Sequence, residues 1–211
     1  MTKVYPMHSK LENKPCVVVG GGEVAERKIK KLVSAGAKVT VISPDITTEI
    51  EILRSKGKLK VLKRPYAYGD MSNFFLAICA TDIKEVNQEA ARECDQHNIL
   101  VNVVDDPDMS SFIVPSALHR GDLTISITTG GASPGLARKI KKDLELNYGP
   151  EYEEYINILK MVRVRVMSEC NDPSIRKMIF REVLELGVLE LIEAGNYTLA
   201  KERVNKCLSL L

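Results

Sequence analysis

Three consecutive glycines follow a short apolar run and precede a stretch rich in helix-forming residues. Gly20, Gly22 and Ala25 stand at the spacing G-x-G-x-x-A. Between a strand and a helix this spacing suits a pyrophosphate, because the first glycine makes the turn and the second lets the backbone approach the phosphates. The helix start then offers free N–H groups to the anion. The residues predicted to contact a dinucleotide here are Gly20, Gly22, Glu23 and Val24.

The sequence on either side decides between this interpretation and a glycine turn that binds nothing. Cys16–Val19 is a continuous apolar run, typical of a parallel strand buried on both faces. After the glycines, Ile29, Leu32 and Val33 recur at helical spacing, and Val39–Ile42 forms a second apolar run. This is a complete βαβ unit of about 30 residues, so we favour the nucleotide interpretation.

The end of the second predicted strand bears on which dinucleotide is bound. Dinucleotide folds usually place an acid for the ribose hydroxyls about 20 residues after the glycines. Ser43 occupies that position, followed by Pro44 and Asp45. Either the acid is displaced to Asp45 or the serine hydroxyl serves instead, and all three residues are predicted to contact the cofactor. No Arg or Lys lies between positions 40 and 48 to hold a 2′-phosphate, so NAD is favoured over NADP.

The alternation of strands and helices continues along the first half of the chain. Further strands are predicted over Lys58–Lys63, Asn73–Ala80 and Ile99–Val104, and a helix over Lys84–His97, while Tyr5–Leu11 is predicted as a short edge strand or a lead-in. Such alternation indicates an α/β fold with a doubly wound parallel sheet through about residue 113. Ligands bind at the carboxyl ends of such strands. Ala80 and Thr81 are therefore predicted to face the cofactor.

Carboxylates cluster where the fifth predicted strand ends, at Asp105, Asp106 and Asp108. A carboxylate at this edge can accept a proton while hydride leaves the substrate for a nicotinamide. Asp is also a common turn residue, so these side chains serve either the chemistry or the turn. We favour Asp105 as the general base because it stands directly at the strand end.

A second glycine-rich turn follows a predicted strand over Leu123–Thr128. Ser133 is a suitable N-cap for the helix that begins at Pro134. The N–H groups of this turn can bind a substrate carboxylate, and Arg138 can offset its charge, although a plain capped helix explains the same pattern. The residues predicted to bind substrate are Thr129, Gly130, Ser133 and Arg138. From Pro150 the chain is predicted to be entirely helical, with breaks at 171–173, 187 and 195–196.

Composition excludes several classes of protein. The 211 residues carry 30 Lys and Arg against 28 Asp and Glu, which gives a net charge of +2. This balance lacks the excess of basic residues that is typical of nucleic-acid-binding proteins. No apolar run approaches the roughly 18 residues of a membrane span. Five scattered cysteines show no metal-ligand spacing. We therefore expect no nucleic-acid or membrane partner, no bound metal, and a cytoplasmic protein with reduced thiols.

The motifs, taken in order, resemble those of the siroheme-synthase-type precorrin-2 dehydrogenases. The segments that carry the resemblance are Val19–Lys28, Ala80–Asp82, Asn102–Pro107, Ser111–Ser116, Thr129–Pro134 and Leu136–Arg138. Each is weak alone, but the ordered set is specific. The helical tail from residue 150 is only loosely similar, and the methyltransferase domain fused to some relatives is absent, so the chain resembles the stand-alone form.

The resemblance implies NAD-dependent oxidation of precorrin-2 to sirohydrochlorin, on the route to siroheme or cobalamin. It also implies a Rossmann domain over 1–113, a dimerisation segment over 114–146, a helical domain over 147–211 and a homodimer. Asp105 matches the family's catalytic aspartate, and Thr129 stands where the family often has serine. Two alternatives stay open: a bifunctional dehydrogenase and sirohydrochlorin ferrochelatase, in which Asp105 also helps remove pyrrole protons, and a non-enzymatic NAD(H)-binding sensor.

Overall fold

The computed structural model describes residues 4–209, which divide between Val114 and Pro115 into two compact units. The first unit contains a parallel sheet with helices. The second contains a β-hairpin followed by helices. The three-part division at residues 113 and 146 stays a prediction.

The first unit is built on a five-stranded sheet in the order β3-β2-β1-β4-β5, in which every pairing is parallel. Its strands are β1 Pro15–Val19, β2 Lys38–Ile42, β3 Leu59–Leu62, β4 Leu76–Cys79 and β5 Leu100–Val103. Its helices are α1 Glu23–Ser34, α2 Thr48–Ser55 and α3 Lys84–Gln96. The predicted α/β class and its five strands are confirmed. Helix α2 is not among the predicted elements.

Helices cover both faces of the sheet, so the sheet is doubly wound and its side chains alternate between two cores. Val18 packs with Ile29 of α1 and Ile50 of α2 on one face, while Val17 and Val19 pack with the residues of α3 on the other. A strand that is covered on both faces must be apolar at every position, which explains the unbroken run of valines in β1. Residues 4–10 form no strand and act as a lead-in.

The outer edge of β5 is paired by serine hydroxyls instead of by a sixth strand. The Val101 N–H donates to Ser111 Oγ (2.8 Å), and the Ser111 N–H donates back to the Val101 carbonyl (2.8 Å). The Val103 N–H donates to Ser110 Oγ (2.9 Å). These bonds satisfy an otherwise open sheet edge. They also hold together the two segments that flank the loop containing Asp105, β5 before it and the serines after it.

A buried carboxylate joins α3 to the connection between β3 and β4. Glu93 is 0% exposed, and its carboxylate accepts from the Tyr66 hydroxyl and from the Met71 N–H (2.8 Å). Burial, followed by the bond to Glu93, raises the pKa of Tyr66 well above its usual value. The buried polar group is tolerated in the core because both of its oxygens have donors.

Replacing Glu93 by alanine is expected to lower the free energy of unfolding by about 2–4 kcal/mol, because the Tyr66 hydroxyl and the Met71 N–H lose their acceptor inside the core. Urea denaturation measures the loss. Glu89→Ala, at an exposed position one turn earlier on the same helix, is the matched control and should change stability by less than about 0.5 kcal/mol. Equal effects of the two substitutions would contradict a structural role for the buried carboxylate.

The second unit begins with an antiparallel hairpin of β6 Ser116–Arg120 and β7 Leu123–Ile127. Five helices follow: α4 Pro134–Asn147, α5 Glu151–Glu169, α6 Pro173–Leu184, α7 Val188–Glu193 and α8 Tyr197–Leu208. Helices α5 to α8 enclose one apolar core. The predicted helical tail and its three breaks are confirmed, whereas β6 is not among the predicted strands. Among residues 4–209, no helix combines the length and apolar character that a membrane span requires.

Candidate active site

The three glycines after β1 meet different surroundings. Gly20 has φ +120°, and a Cβ there would lie 2.3 Å from the Ala80 carbonyl oxygen. A Cβ on Gly21 would lie 2.0 Å from the Asp45 carbonyl oxygen. A Cβ on Gly22 would meet nothing within 4 Å. The first two glycines are therefore required by neighbouring backbone, and the third leaves open space beside the start of α1.

That open space has the chemistry of an anion site. Gly22 is the N-cap of α1 and offers no side-chain acceptor to the first N–H groups of the helix. Those N–H groups, including those of Glu23 and Val24, carry the positive end of the helix dipole. The Glu23 side chain is exposed, so its contribution here is its backbone N–H. Open space beside unsatisfied N–H groups fits a dinucleotide pyrophosphate.

The loop after β2 is bonded to the glycine turn. The Thr47 N–H donates to the Gly21 carbonyl (3.0 Å), and the Thr47 hydroxyl donates to Glu26 of α1 (2.7 Å). The buried Ser43 hydroxyl donates to the Asp45 carbonyl (2.6 Å). The hydroxyl hydrogen of Ser43 is therefore already bonded within the loop, whereas the side chain of Asp45 is exposed. Of the two candidate ribose contacts we favour Asp45, and both residues, with Pro44, stay predictions.

The same loop leads us to expect that NAD⁺ outperforms NADP⁺ by at least about tenfold in kcat/KM, which corresponds to about 1.4 kcal/mol. Positions 43–48 supply one carboxylate and no cation for a 2′-phosphate. Initial rates with each cofactor at saturating second substrate measure the ratio. A preference for NADP⁺ would show that a cation from elsewhere serves this site.

A buried asparagine fixes the loop after β4. The Asn87 side chain accepts from the Thr81 hydroxyl (2.8 Å) and donates to the Thr81 carbonyl (2.9 Å). Asn87 is 7% exposed, and Ala80 lies against Gly20 as described above. Sequence reasoning missed Asn87. The available signal was an asparagine at helical spacing from Ala90, Ala91 and Cys94, three of the residues that α3 buries.

Asp105 and Asp106 follow β5 but do different things. Asp106 Oδ1 accepts from the Met109 N–H (3.2 Å), which closes a turn. Asp105 is exposed and has φ +61°. A residue other than glycine in this region is uncommon, and such positions cluster at functional sites. The turn therefore uses Asp106, and the carboxylate of Asp105 is presented at the sheet edge, where its catalytic role stays a prediction.

Parallel pairing brings the predicted residues of the first unit to one edge. The carboxyl ends of β1, β4 and β5 are neighbours, and the Val104 N–H extends the ladder to the Cys79 carbonyl (2.9 Å). The glycine turn, the Ala80–Thr81 loop and Asp105 therefore lie along the same edge. This is the edge at which open α/β sheets bind their ligands.

The predicted substrate residues lie in the second unit. Thr129 Oγ1 accepts from the Ser133 N–H (3.0 Å), and Ser133 Oγ accepts from the Leu136 N–H (3.2 Å), which caps α4. Gly130 is exposed with φ +63°, and the exposed Arg138 contacts the Pro134 carbonyl (3.4 Å). Thr129 and Ser133 thus shape the loop and cap the helix, and their contact with substrate stays a prediction.

Metal ligands of the usual kinds are not assembled in the part of the chain that the structure describes. Within residues 4–209, no group of three His, Cys, Asp or Glu side chains is arranged to hold a metal ion. The prediction that the protein carries no metal of its own stays a prediction.

Two family models match consecutive parts of the chain. Residues 7–116 match the family described as putative NAD(P)-binding, and residues 120–146 match the central segment of sirohaem biosynthesis proteins. The chain belongs to this NAD(P)-binding family. The resemblance drawn from the ordered motifs is confirmed, and with it the prediction that the chain binds a dinucleotide, while the contacts of the individual glycines stay predictions.

Curated relatives and solved structures extend the match. The siroheme synthase of Thioalkalivibrio sulfidiphilus is 33% identical over 204 residues, which cover 97% of this chain and 42% of that protein. Siroheme synthase 3 of Aeromonas hydrophila is 42% identical over 140 residues, or 66% of this chain and 30% of that protein. The chain thus spans less than half the length of these relatives. The solved structure of SirC, a precorrin-2 dehydrogenase, is 29% identical with a TM-score of 0.81, over 96% of this chain and 100% of that one.

Proposed function

We propose that the chain oxidises precorrin-2 to sirohydrochlorin with NAD⁺, on the route to siroheme or cobalamin. One observation carries the proposal: the match to a precorrin-2 dehydrogenase extends over both units and the whole of the other chain. Two features of the first unit support it, because the reaction needs a dinucleotide site and a proton acceptor. They are the open space at the start of α1 and the carboxylate of Asp105 at the same sheet edge.

Bound NAD⁺ supplies the acceptor for hydride. The turn at Gly20–Gly22 and the start of α1 hold its pyrophosphate, and the 43–45 loop contacts a ribose. Asp105 accepts the proton that the macrocycle loses with the hydride, so one hydride and one proton account for the two hydrogens removed. In the second unit, the Thr129–Ser133 loop and the guanidinium of Arg138 contact substrate carboxylates.

The first experiment is an anaerobic assay with purified protein and precorrin-2, in which the absorption spectrum is followed with and without NAD⁺. We expect formation of sirohydrochlorin and NADH in equal amounts, and only when NAD⁺ is present. Folded protein that binds NAD⁺ but produces no spectral change would contradict the dehydrogenase and favour the sensor.

A second candidate activity is insertion of ferrous iron into the product. It is favoured by the name of the relatives, since a siroheme synthase must also supply the iron of siroheme. Iron is a substrate in this reaction, and Asp105 would accept the pyrrole protons that it displaces. Adding ferrous iron to the completed assay separates the two: a further change faster than the metal-only rate supports chelation, and an equal rate contradicts it.

We also propose a cytoplasmic homodimer. All five cysteines are buried and unpaired, and burial raises the pKa of the Cys79 thiol to about 12, which suits reduced thiols inside a cell.

The homodimer follows from the resemblance to the family. Sedimentation velocity at micromolar concentration measures the mass, and a monomer at all concentrations would contradict the dimer.

A further inference from the structure

Helix α1 uses two of its sides for packing. Ala25 and Ile29 are buried against the sheet, while Glu26 and Lys30 contact α2 through Thr47 and Glu49. At 3.6 residues per turn, Lys28 lies about 160° around the helix from both Glu26 and Lys30. Lys28 is therefore on the flank that faces away from α2.

The order of the strands determines which of them lies closest to the Lys28 side of α1. Helix α2 packs on β3, and α1 packs on β1, β2 and β4. Since the order is β3-β2-β1-β4-β5, the flank opposite α2 faces the side of the sheet on which β5 and its terminal Asp105 lie. Phe112, which follows Asp105 along the chain, packs into the same core as Ile29 of α1. Lys28 thus lies on the side of α1 that faces the strand end with the proposed proton acceptor.

The electrostatics of Lys28 agree with this placement. Burial, followed by the positive charges of Lys31 and Arg27, lowers the pKa of Lys28, and the Asp105 carboxylate acts in the opposite direction. Lys30 makes ion pairs with Glu26 and Glu49. No carboxylate among residues 4–209 lies within 4.0 Å of the Lys28 ammonium. Lys28 is a half-buried cation that lacks a direct counter-ion.

We propose that Lys28 binds a peripheral carboxylate of the tetrapyrrole and so positions the macrocycle against Asp105. The inference rests on the proposed function and deepens it, because it assigns a substrate contact to the first unit. A partly desolvated ammonium gains more from an arriving carboxylate than a fully solvated one does. An anchor on α1 also fixes the substrate relative to the dinucleotide held at the start of the same helix.

The test compares Lys28→Met, which keeps the length but removes the charge, with Lys28→Arg. Two readouts are used: steady-state rates with precorrin-2, and equilibrium binding of uroporphyrin, a stable polycarboxylate macrocycle, followed by its fluorescence anisotropy. We expect Lys28→Met to raise both the KM and the uroporphyrin Kd by about 10- to 100-fold and to leave kcat within about twofold. Lys28→Arg should recover most of the loss because the charge is restored.

Lys31→Met is the matched control. Lys31 is an exposed lysine on the same helix, so general weakening of the positive surface would affect both variants equally. We expect Lys31→Met to change KM and uroporphyrin Kd by less than about twofold. Parallel losses in the two methionine variants would overturn a specific contact at Lys28.

Other outcomes also overturn the proposal. Unchanged KM and uroporphyrin Kd in Lys28→Met would do so, as would wild-type protein that does not bind uroporphyrin. Loss of NAD⁺ affinity would make Lys28 a dinucleotide contact, and a lower kcat with a shifted acidic limb of the pH profile would make it a partner of Asp105 alone. Uroporphyrin binding that depends on Lys28, in a protein without NAD⁺-dependent oxidation, would instead contradict the proposed function and support the carboxylate contact.

Discussion

Replacing Asp105 by asparagine is expected to lower kcat by about 10²- to 10⁴-fold while NAD⁺ affinity stays within about twofold, because an amide cannot accept the proton that the substrate loses. The substitution preserves shape, and asparagine tolerates the φ of +61° at this position as well as aspartate does. The loss should therefore report chemistry and not a disturbed loop. Steady-state rates with precorrin-2 and equilibrium titration with NAD⁺ measure the two quantities.

Asp106→Asn provides the control for the Asp105 experiment. The amide oxygen of asparagine can still accept from the Met109 N–H, as Asp106 Oδ1 does at 3.2 Å. We expect kcat to change by less than about threefold and the free energy of unfolding by less than about 1 kcal/mol. A near-normal rate in Asp105→Asn would remove Asp105 from the mechanism, and a large loss in Asp106→Asn alone would transfer the role to its neighbour.

The parts of the site that could be predicted from sequence depend on local geometry. The glycine spacing around Gly20 and Gly22 specifies a strand, a turn and a helix start within a dozen residues, and β1 and α1 are found there. The apolar runs of β4 and β5 likewise mark strands that are buried on both faces. Parallel pairing then determines that their ends lie at one edge, so the grouping of Thr81 with Asp105 follows from pattern alone.

The features that were missed depend on contacts between distant segments. Gly21 is an unspecified position in the motif, yet the approach of the Asp45 carbonyl requires a glycine there. The serines that pair with the edge of β5 act through hydroxyls, which leave no hydrophobic period to recognise. Strand β6 follows Pro115 and contains only one fully buried residue, Leu118, so its alternation is too weak to separate it from a loop.

Lys28 shows a third reason why a functional residue can go unrecognised in the sequence. In sequence it is one of several basic residues on an amphipathic helix, and a solvated face is the ordinary explanation of such a pattern. Its distinction appears only when the ion pairs of Lys30 and the position of Asp105 are known. A residue's type and spacing identify candidates, but the choice among similar charges depends on which of them the fold half-buries without an ion pair, as it does Lys28 but not the exposed Lys31.

Replacing Gly22 by valine is expected to lower NAD⁺ affinity by at least about 100-fold, or about 2.7 kcal/mol, while the protein stays folded. The backbone at Gly22 is extended, with φ −79° and ψ −175°, and a Cβ would meet no atom of the chain within 4 Å. The side chain would therefore fit the apoprotein but occupy the space in which the pyrophosphate must approach the start of α1. Fluorescence titration with NADH gives the affinity, and thermal unfolding without ligand gives the stability.

Gly21→Ala separates a blocked site from a damaged fold, since the two glycines are adjacent but have opposite surroundings. An added Cβ on Gly21 would lie 2.0 Å from the Asp45 carbonyl oxygen, so the loop that contacts the ribose must move or the protein must lose stability. We expect a loss of about 2 kcal/mol or more in the free energy of unfolding for Gly21→Ala and less than about 1 kcal/mol for Gly22→Val. If Gly22→Val instead unfolds the protein, or binds NADH normally, the open space beside α1 is not the pyrophosphate site. If the expected pair of results is obtained, the middle glycine serves the fold and the third serves the cofactor.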